Sequence, residues 1–516
     1  MNLEGKRVLV VGSGKSGVAA AELLRKKGIT FVLFDGNKDL DVTALIEKNP
    51  VFAGAEILLG ELAPEDMARI DLVVLSPGVP TDLPMVNELR NRQIPIWGEI
   101  ELAYHFAKGR LLAITGTNGK TTVSNMINDI LENNGYKVIN NRYGSNMNTG
   151  IAASFIANTT FLGKNKNDIA VFEMDERSTI HIFKYITPTY LICNNLSRDS
   201  IKRNAHTAFI ANIINNAIPK ETTVITNGDD PICVNLARDN KKIYYGIDKL
   251  DTDTKECENI VQDMVLCPKC GSKLEYEYYR YHHVGKMHCP NCDFKTPKKD
   301  YEITKIDYDN KQILLKDNKN IEHEYTMIVD GLINIYNMLA AISVLKEIGV
   351  EDDKINNSLK EMKIVDTRFM LDEAGGKKIV LHLAKGQNPI ACSRVFDYVR
   401  KQPERKTVIM FLDDLHIKNE TITWLYDTDY EFLNQDNIEQ IIVSGKRSKD
   451  VVVRLLMAGV PKEKIFSDFD EVESVKKYFR PKNIESVYIL YDLYAIKEKE
   501  NVNKAVKEIL ENKVEE

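Results

Sequence analysis

Apolar and polar positions along the first hundred residues alternate between two patterns, one typical of buried strands and one typical of amphipathic helices. Apolar runs at 8–11, 31–34 and 72–75 predict buried strands, the first of them in a strand from Arg7 to Val11, and apolar residues at helical spacing follow it through Leu24. Strands that alternate with helices in this way predict βαβ units. The same alternation recurs toward the C-terminus, so the pattern predicts an α/β fold throughout.

A glycine-rich turn follows the first predicted strand. The stretch Gly12-Ser-Gly-Lys-Ser-Gly17 has the G-x-G-x-x-G spacing of nucleotide-binding βαβ units, and the second strand ends in Asp35, where a ribose-binding acid would lie. By itself this fingerprint is compatible with a dinucleotide, with another nucleotide, or only with close packing of a helix.

A second strand, turn and helix carries the strongest nucleotide signal. The apolar run 111–114 predicts a strand, and the turn after it leads into a helix from Thr121 onward. Backbone N–H groups of such a turn and the helix N-terminus hold phosphate, while Lys120 reaches the β- and γ-phosphates and the Thr121 hydroxyl binds Mg²⁺. The usual spacing needs a glycine where the chain has Ile114, so this is a shortened form, and an ordinary strand-turn-helix is the alternative. The candidate ATP-binding residues here are Gly116, Thr117, Asn118, Gly119, Lys120, Thr121 and Thr122.

Composition places few further limits on the function. The chain of 516 residues is long enough for about three or four domains, and its hydrophobic content of 43% is that of a globular protein. A net charge of −6 gives no electrostatic reason to expect nucleic acid or an anionic membrane surface as a partner. The absence of a long apolar run and of a signal-peptide pattern predicts a cytoplasmic protein without membrane insertion.

Four of the eight cysteines form two C-x-x-C pairs. Cys267 and Cys270 are separated from Cys289 and Cys292 by 18 residues, which is the spacing of a zinc ribbon. Four thiolates leave no open coordination position, so we expect a structural zinc site. Chance cysteine pairs are the alternative, and the nearby histidines are not needed as ligands.

Further motifs of the first hundred residues identify a family. The glycine turn, the Ser76-Pro-Gly78 turn and the segment Ile96–Leu102 together resemble the N-terminal domain of MurD ligases in the Mur ligase superfamily. In that family this domain holds uridine diphosphate rather than NAD. The resemblance implies UDP-binding residues Gly12, Ser13, Gly14, Lys15, Ser16, Gly17, Asp35, Ser76, Pro77 and Gly78.

The central part of the chain matches the same superfamily motif by motif. Strand 169–173 ends in Glu173, which the resemblance assigns as a magnesium ligand together with Thr121; a solvent-facing acid is the alternative. Asn195 and Asp199 fall on family positions. The chain departs from the family at Ser200, where most members have a histidine that helps to place a second metal ion, and at Lys202, where the family has an aspartate. Whether the protein has a second magnesium site is therefore an open question, and His206 is the candidate to replace the missing histidine.

The adenine site and the last domain complete the resemblance. Asn334 and Asn337 fit the family's N-x-x-N-x-x-A helix and lie on one helical face, although asparagines there also cap neighbouring loops. Arg368 resembles the arginine that reaches the ATP phosphates. Lys385 lies in a segment similar to one of the MurT branch, with two extra residues, and Asp427 is our candidate for an acid that faces a glutaminase partner.

The zinc ribbon and the C-terminal motifs are those of the MurT branch. We therefore expect a three-domain Mur ligase architecture: a MurD-like Rossmann-type domain at 1–105, a central ATP-binding domain at 106–364 with the zinc ribbon at about 262–298, and a MurT-like α/β domain at 365–516. A packed terminal helix is predicted by the periodicity of Val502, Val506, Ile509 and Leu510.

The resemblance implies an ATP- and Mg²⁺-dependent ligase of murein or archaeal pseudomurein synthesis. Lys120, Glu173 and Arg368 are the expected catalytic residues, and an acyl phosphate is the expected intermediate. Two hypotheses for the amine remain open: an amino acid joined to a UDP-linked precursor, or ammonia from a GatD-like glutaminase, as in MurT. An inactive Mur-like scaffold is a third, which the intact phosphate loop opposes.

Overall fold

The computed structural model describes most of the chain. The described residues are 3–76, 78–106, 109–142, 146–147, 150–151, 154, 168–198, 206–328, 331–362, 369–386, 388–412, 422–492 and 495–512. Within them the strands form one five-stranded, one nine-stranded, one two-stranded and one six-stranded sheet, in chain order. The predicted α/β class is confirmed.

The first sheet is parallel and has the strand order β3-β2-β1-β4-β5. Its central strands are buried along their whole length, as continuous apolar runs require when helices cover both faces of a parallel sheet. The elements of this unit are β1 (Val8–Val11), α1 (Lys15–Lys26), β2 (Phe31–Asp35), α2 (Val42–Lys48), β3 (Glu56–Leu59), α3 (Pro64–Met67), β4 (Leu72–Leu75), α4 (Pro84–Asn91), β5 (Ile96–Gly98) and α5 (Glu99–Phe106).

The nine-stranded sheet is parallel except at one edge. Its order is β16-β15-β14-β11-β10-β9-β6-β8-β7, and β14, β15 and β16 pair antiparallel. The elements are β6 (Arg110–Thr115), α6 (Lys120–Asn133), β7 (Val138–Asn140), β8 (Ile169–Glu173), α7 (Thr179–Ile182), β9 (Tyr190–Cys193), α8 (Thr207–Ala217), β10 (Thr223–Asn227), α9 (Pro231–Asn235), β11 (Lys242–Ile247), β12 (Glu275–Tyr281), β13 (Val284–His288), β14 (Tyr301–Asp307), β15 (Gln312–Lys316), β16 (Glu322–Thr326), α10 (Leu332–Glu347) and α11 (Asp352–Glu361). Strands β12 and β13 form a separate antiparallel hairpin.

Helix α10 is apolar on all sides, unlike the amphipathic surface helices. Every residue from Ile335 to Leu345 is buried, because the helix packs between α6 and the strands of the nine-stranded sheet. A helix that is apolar all round is stable only inside a core. Its position is therefore fixed by packing on several sides.

The last sheet has the order β17-β18-β22-β19-β20-β21, and only β17 runs antiparallel to its neighbour. The predicted terminal helix is present as α16, with Val502, Val506 and Leu510 buried. The elements are β17 (Phe369–Ala374), β18 (Lys377–Leu383), α12 (Pro389–Arg400), β19 (Lys406–Phe411), α13 (Trp424–Asp427), β20 (Ile438–Val443), α14 (Ser448–Met457), β21 (Ile465–Ser467), α15 (Glu471–Tyr478), β22 (Ser486–Tyr491) and α16 (Ile496–Asn512). No helix among the described residues is both long and apolar enough to cross a membrane.

One carboxyl group is buried beside the glycine turn of the first sheet. Glu99, the first residue of α5, is only 4% exposed, and its side chain faces the hydroxyl groups of Ser16 and Ser76. Its Oε1 atom has no hydrogen-bond partner. Burial raises the pKa of Glu99 to about 7, because the charged form is poorly solvated there.

We predict that Glu99→Gln changes how the stability of the first unit depends on pH. Since the folded pKa lies above the unfolded value, the stability that the bound proton contributes is complete at low pH and is lost as the pH rises through about 7. The neutral glutamine escapes that loss, so at pH 8.5 the variant should melt about 2–4 °C above the wild type, and near pH 5 the difference should shrink.

Thermal unfolding followed across this pH range measures the effect, with Glu61→Gln as the control. Glu61 is an exposed acid of the same unit, so its neutralisation should leave the pH dependence of melting unchanged. Parallel pH profiles for Glu99→Gln and the wild type would contradict the buried-carboxyl account.

Candidate active site

The turn after β6 is enclosed between two other parts of the central unit. Gly116 and Gly119 have φ angles of +130° and +83°, which favour glycine. A Cβ at Gly116 would lie 2.9 Å from the carbonyl oxygen of Asn195, and a Cβ at Gly119 would lie 2.2 Å from Oδ1 of Asn337. Both glycines are therefore required by the close approach of their neighbours as well as by backbone conformation.

Hydrogen bonds tie this turn to the segment after β9. The Asn118 N–H donates to Oδ1 of Asn195 at 3.1 Å, and Nδ2 of Asn195 donates to the Asn118 carbonyl at 3.0 Å. The Thr117 hydroxyl donates to the Ser197 carbonyl and accepts from the Ser197 N–H, both at 3.0 Å. Asn195, identified from the family motif, thus holds the conformation of the loop.

Lys120, at the start of α6, forms a buried ion pair. Its Nζ lies 2.8 Å from Oε1 of Glu176, and the two side chains are 12% and 2% exposed. Burial raises the pKa of Glu176, and the charge of Lys120 opposes that rise. Sequence analysis missed Glu176, although its place three residues beyond a strand-end acid was the available signal.

Thr121 and Glu173 meet at the same edge of the sheet. The Thr121 hydroxyl donates to Oε2 of Glu173 at 2.8 Å, and Nδ2 of Asn146 donates to Oε1 at 3.2 Å. Asn141 fixes the Glu173 backbone through two hydrogen bonds, of 3.0 and 2.9 Å. A polar cavity of about 200 Å³ opens beside the pair. A hydroxyl and a carboxylate so close together are the oxygen donors that Mg²⁺ prefers.

The two asparagines predicted for adenine lie on α10. Asn337 is 4% exposed and lies against the loop at Gly119, whereas Asn334, one turn earlier, is half-buried. The structure therefore brings Asn337 to the phosphate loop, together with Lys120 and Thr121.

Several predicted positions lie outside the described residues, namely Pro77, Asp199, Ser200, Lys202 and Arg368. His206 is described, and its Nδ1 accepts a hydrogen bond from the Ala208 N–H at 3.2 Å as the N-cap of α8. Lys385, at the end of the β18 segment, adopts a φ angle of +48°.

The glycine turn of the first sheet is held by Asp35. Oδ2 of Asp35 accepts from the Ser13 N–H at 3.0 Å and from the Ser13 hydroxyl at 2.5 Å. Burial works to raise the pKa of Asp35, but hydrogen bonds from Ser13 and Asn37 outweigh it and leave the pKa below its ordinary value. A Cβ at Gly17 would lie 1.8 Å from the Gly12 carbonyl, so this turn also packs α1 tightly against β1.

The four cysteines of the two C-x-x-C pairs form one cluster. All four sulfur atoms lie within 4.8 Å of one another, with Cys267 and Cys292 3.5 Å apart and Cys270 and Cys289 3.4 Å apart. Sulfur atoms around a tetrahedral zinc ion with bonds of about 2.3 Å lie roughly 3.8 Å apart. The arrangement is therefore close to that of a closed site with four thiolate ligands.

The neighbouring histidines make other contacts. His283 lies 3.3 Å from Oδ1 of Asp230, and Nδ1 of His282 lies 3.1 Å from the Val261 carbonyl. Asp230 also caps α9 by accepting from the Ile232 N–H at 2.9 Å. The Asn227–Pro231 turn therefore also anchors the hairpin through Asp230.

Asp427 contacts the central unit. Oδ1 of Asp427 lies 3.1 Å from Arg198, whose guanidinium also pairs with Asp263 at 2.6 Å. The fully buried Asp429 accepts from Nδ2 of Asn259 at 2.8 Å and from the Ile260 N–H at 2.7 Å. Sequence analysis missed Arg198 and Asp429. The role of Asp427 toward a glutaminase stays a prediction.

Three family descriptions match the chain in order. They are "Mur ligase MurD-like, N-terminal domain" at residues 6–98, "Mur ligase middle domain" at 114–278 and "MurT ligase C-terminal" at 385–513. The combination agrees with the mixed resemblance deduced from the motifs.

Curated relatives come from both branches. The lipid II isoglutaminyl synthase (glutamine-hydrolyzing) subunit MurT of Staphylococcus aureus (strain COL) is 33% identical over 353 residues, which are 68% of this chain and 78% of the relative. The UDP-N-acetylmuramoylalanine–D-glutamate ligase of Lachnoclostridium phytofermentans is 40% identical over 238 residues, 45% of this chain and 49% of the relative.

A solved structure shares the fold over nearly the full length. The pseudomurein peptide ligase type C from Methanothermus fervidus superposes with a TM-score of 0.59 at 20% identity, covering 97% of this chain and 99% of that one. The order of the sheets, the loop geometry and the relatives lead to one conclusion. The chain belongs to the Mur ligase family of ATP-dependent ligases, with a MurD-like N-terminal region and a MurT-like C-terminal region.

Proposed function

We propose that the protein activates a carboxylate of a UDP-linked cell-wall precursor with ATP and joins it to the amine of an amino acid. The observation that carries the proposal is the convergence of Lys120, Thr121 and Glu173 at one edge of the central sheet. A MurD-like region with a glycine turn supports a UDP-linked substrate. The proposal locates the reaction in the cytoplasm, in murein or pseudomurein synthesis.

The loop residues have separate tasks in this proposal. Residues 116–122 hold the ATP phosphates through backbone N–H groups, Lys120 contacts the γ-phosphate, and Asn334 and Asn337 bind adenine. Thr121 and Glu173 would hold Mg²⁺, which supplies positive charge to the phosphate oxygens. Arg368 would add a second cation at the phosphates, as the arginine that it resembles does in the family. These groups act by position and charge, since phosphoryl transfer needs little covalent chemistry from the protein.

The reaction is a two-step ligation. A carboxylate oxygen of the precursor bonds to the γ-phosphorus while the bond to the ADP oxygen breaks, which gives an acyl phosphate and ADP. The amine then attacks the acyl carbon, loses a proton, and inorganic phosphate leaves as the amide forms. Lys120 must turn from Glu176 toward the phosphate during the first step, because one ammonium group pairs weakly with two separated anions.

We predict that Lys120→Ala abolishes turnover. Removal of a charge that contacts the transferring phosphate should lower the ATP-dependent rate by about 100-fold or more. Because Glu176 is 2% exposed, the single variant also leaves a buried carboxylate unpaired and should melt at a lower temperature.

Two further variants make this test specific. Lys120→Ala combined with Glu176→Gln should recover much of the melting temperature while staying inactive, and Lys184→Ala, at an exposed lysine of the same unit, should behave as wild type. ADP release and thermal melting are the measurements. Full activity of Lys120→Ala would contradict the assignment of residues 116–122 as the site of the ATP phosphates.

UDP and UDP-N-acetyl sugars should raise the melting temperature of the protein in the presence of a non-hydrolysable ATP analogue. A ligand at 100 times its Kd stabilises the folded state by about 2.7 kcal/mol. Lys15→Ala, at the exposed start of α1, should weaken the shift, since helix N-termini and nearby cations attract phosphate. Lys26→Ala, at the other end of the same helix, is the matched control and should retain it.

The second candidate function is a MurT-like synthetase subunit that uses ammonia from a GatD-like glutaminase. The match of residues 385–513 to the MurT C-terminal description favours it. An ATP-analogue shift without any UDP shift would count against the first candidate and support this one. Stimulation of ADP release by ammonia, but not by free amino acids, would also support this second candidate.

We also propose that the four-cysteine cluster, made of Cys267, Cys270, Cys289 and Cys292, holds one structural zinc ion. Its sulfur separations suit tetrahedral thiolate coordination, and a small insertion with little core of its own depends on such a metal. Purified protein should contain one zinc per chain, and a strong chelator should lower its melting temperature. Cys270→Ser should lose the metal, whereas Cys257→Ser, outside the cluster, should keep it. Metal-free protein with unchanged melting would contradict this proposal.

A further inference from the structure

We propose that the hairpin β12–β13 supports the nucleotide site from outside it, because its Arg280 positions the helix that carries Asn337. The inference rests on the proposed binding of ATP at the phosphate loop. It assigns to Arg280 and Tyr336 the role of positioning residues, which set nucleotide affinity without touching the nucleotide.

Arg280, on β12, is buried inside the central unit rather than within its own hairpin. Its side chain is 1% exposed and makes six hydrogen bonds. It donates to Asp229 at 3.0 Å, to both carboxylate oxygens of Asp253 at 3.0 and 2.8 Å, and to the Tyr336 hydroxyl at 2.6 Å. The other two bonds go to the backbone carbonyls of residues 247 and 248. The planar guanidinium thus joins three separate segments of the central unit.

The charges around Arg280 are paired inside the core. Asp229 is fully buried and also pairs with Lys299 at 2.9 Å, so Arg280 and Lys299 face the carboxylates of Asp229 and Asp253. Lys299 also lies 3.3 Å from the partly exposed Glu302. Loss of one partner from such a buried set leaves an uncompensated charge, which strongly disfavours the folded arrangement. The set therefore has one stable geometry, and that geometry includes the Tyr336 hydroxyl.

Tyr336 connects Arg280 and Asp229 to helix α10. Its hydroxyl donates to Oδ2 of Asp229 at 2.7 Å and accepts from Arg280, while the ring is buried in the helix packing. The next residue, Asn337, lies so close to Gly119 that a Cβ there would be 2.2 Å from its Oδ1. Neighbouring residues of one helical turn move together, so whatever fixes the angle of Tyr336 also fixes Asn337 against the loop.

The four-cysteine cluster lies at the other end of the same hairpin. Strand β13 ends at His288, directly before Cys289, and β12 pairs with β13 from Glu275 to Tyr281. The apolar cluster of this insertion is small and includes Cys267 and Cys289 themselves. Arg280 lies at a register shift of this ladder, between Tyr279 and Tyr281, and its side chain bonds to the central unit.

Tyr336→Phe tests the inference, because it removes one hydroxyl and leaves every charge of the set in place. The Kd of a non-hydrolysable ATP analogue should rise about tenfold, while the zinc content and the UDP-induced melting shift stay as in wild type. Arg280→Lys, which retains the charge but not the fork of donors, should weaken the analogue at least as much. In the double variant the Kd of the analogue should rise by less than the product of the two single-variant fold-changes, since both substitutions break the same contact.

Tyr301→Phe is the matched control. The Tyr301 hydroxyl donates to Oε1 of Glu347 at 2.7 Å, at the end of α10 far from the loop. This variant loses one hydrogen bond to the same helix, where Tyr336→Phe loses two. Its melting temperature should therefore fall by a smaller amount, while its analogue Kd stays within about twofold of wild type.

The outcomes separate this inference from the proposed function. A wild-type protein that does not bind the ATP analogue overturns the proposed function. A wild type that binds it, with Tyr336→Phe indistinguishable from Tyr301→Phe in Kd, overturns the positioning role alone. If Arg280→Lys does not fold, the Kd values of the two tyrosine variants still test the positioning role.

Discussion

The central unit depends on the contacts that the buried carboxylate of Asp229 makes with its three side-chain partners. Without partners, a charge at this depth would be expelled or neutralised, and here Arg280, Lys299 and Tyr336 satisfy it together. Each partner comes from a different element: the hairpin, the segment that follows it, and the long buried helix. One buried carboxylate thus links three separate elements of the central unit through ion pairs and hydrogen bonds.

The phosphate loop is enclosed by a related constraint. Gly116 approaches the segment after β9 and Gly119 approaches α10, each too closely for any side chain. The loop therefore takes its shape from both neighbours, and Lys120 and Thr121 emerge from it toward Glu176 and Glu173. The backbone of the loop is therefore preorganised, whereas in the proposed reaction Lys120 has to leave Glu176 before it contacts a phosphate.

The C-terminal unit contacts the central unit beside the same insertion. Asp429 contacts Asn259, just before the insertion, and Asp427 contacts Arg198, after β9. Arg394 of α12 lies 5.2 Å from the ring centre of Tyr281 on β12. The hairpin thus contacts α10 through Arg280 and helix α12 of the C-terminal unit through Tyr281. It is therefore a structural link between the two units.

The sequence by itself determined the strands and helices, the α/β class, the phosphate loop, the four cysteines and the acids at strand ends, because each depends on residues close together in the chain. Only the tertiary structure decided which distant groups meet. Glu176 pairs with Lys120 across 56 positions, and Tyr336 bonds to Asp229 across 107. Local spacing contains no information on such pairs. They are set by the strand order, which brings distant residues together, and by the need of a buried carboxylate for a partner of opposite charge or a hydrogen-bond donor.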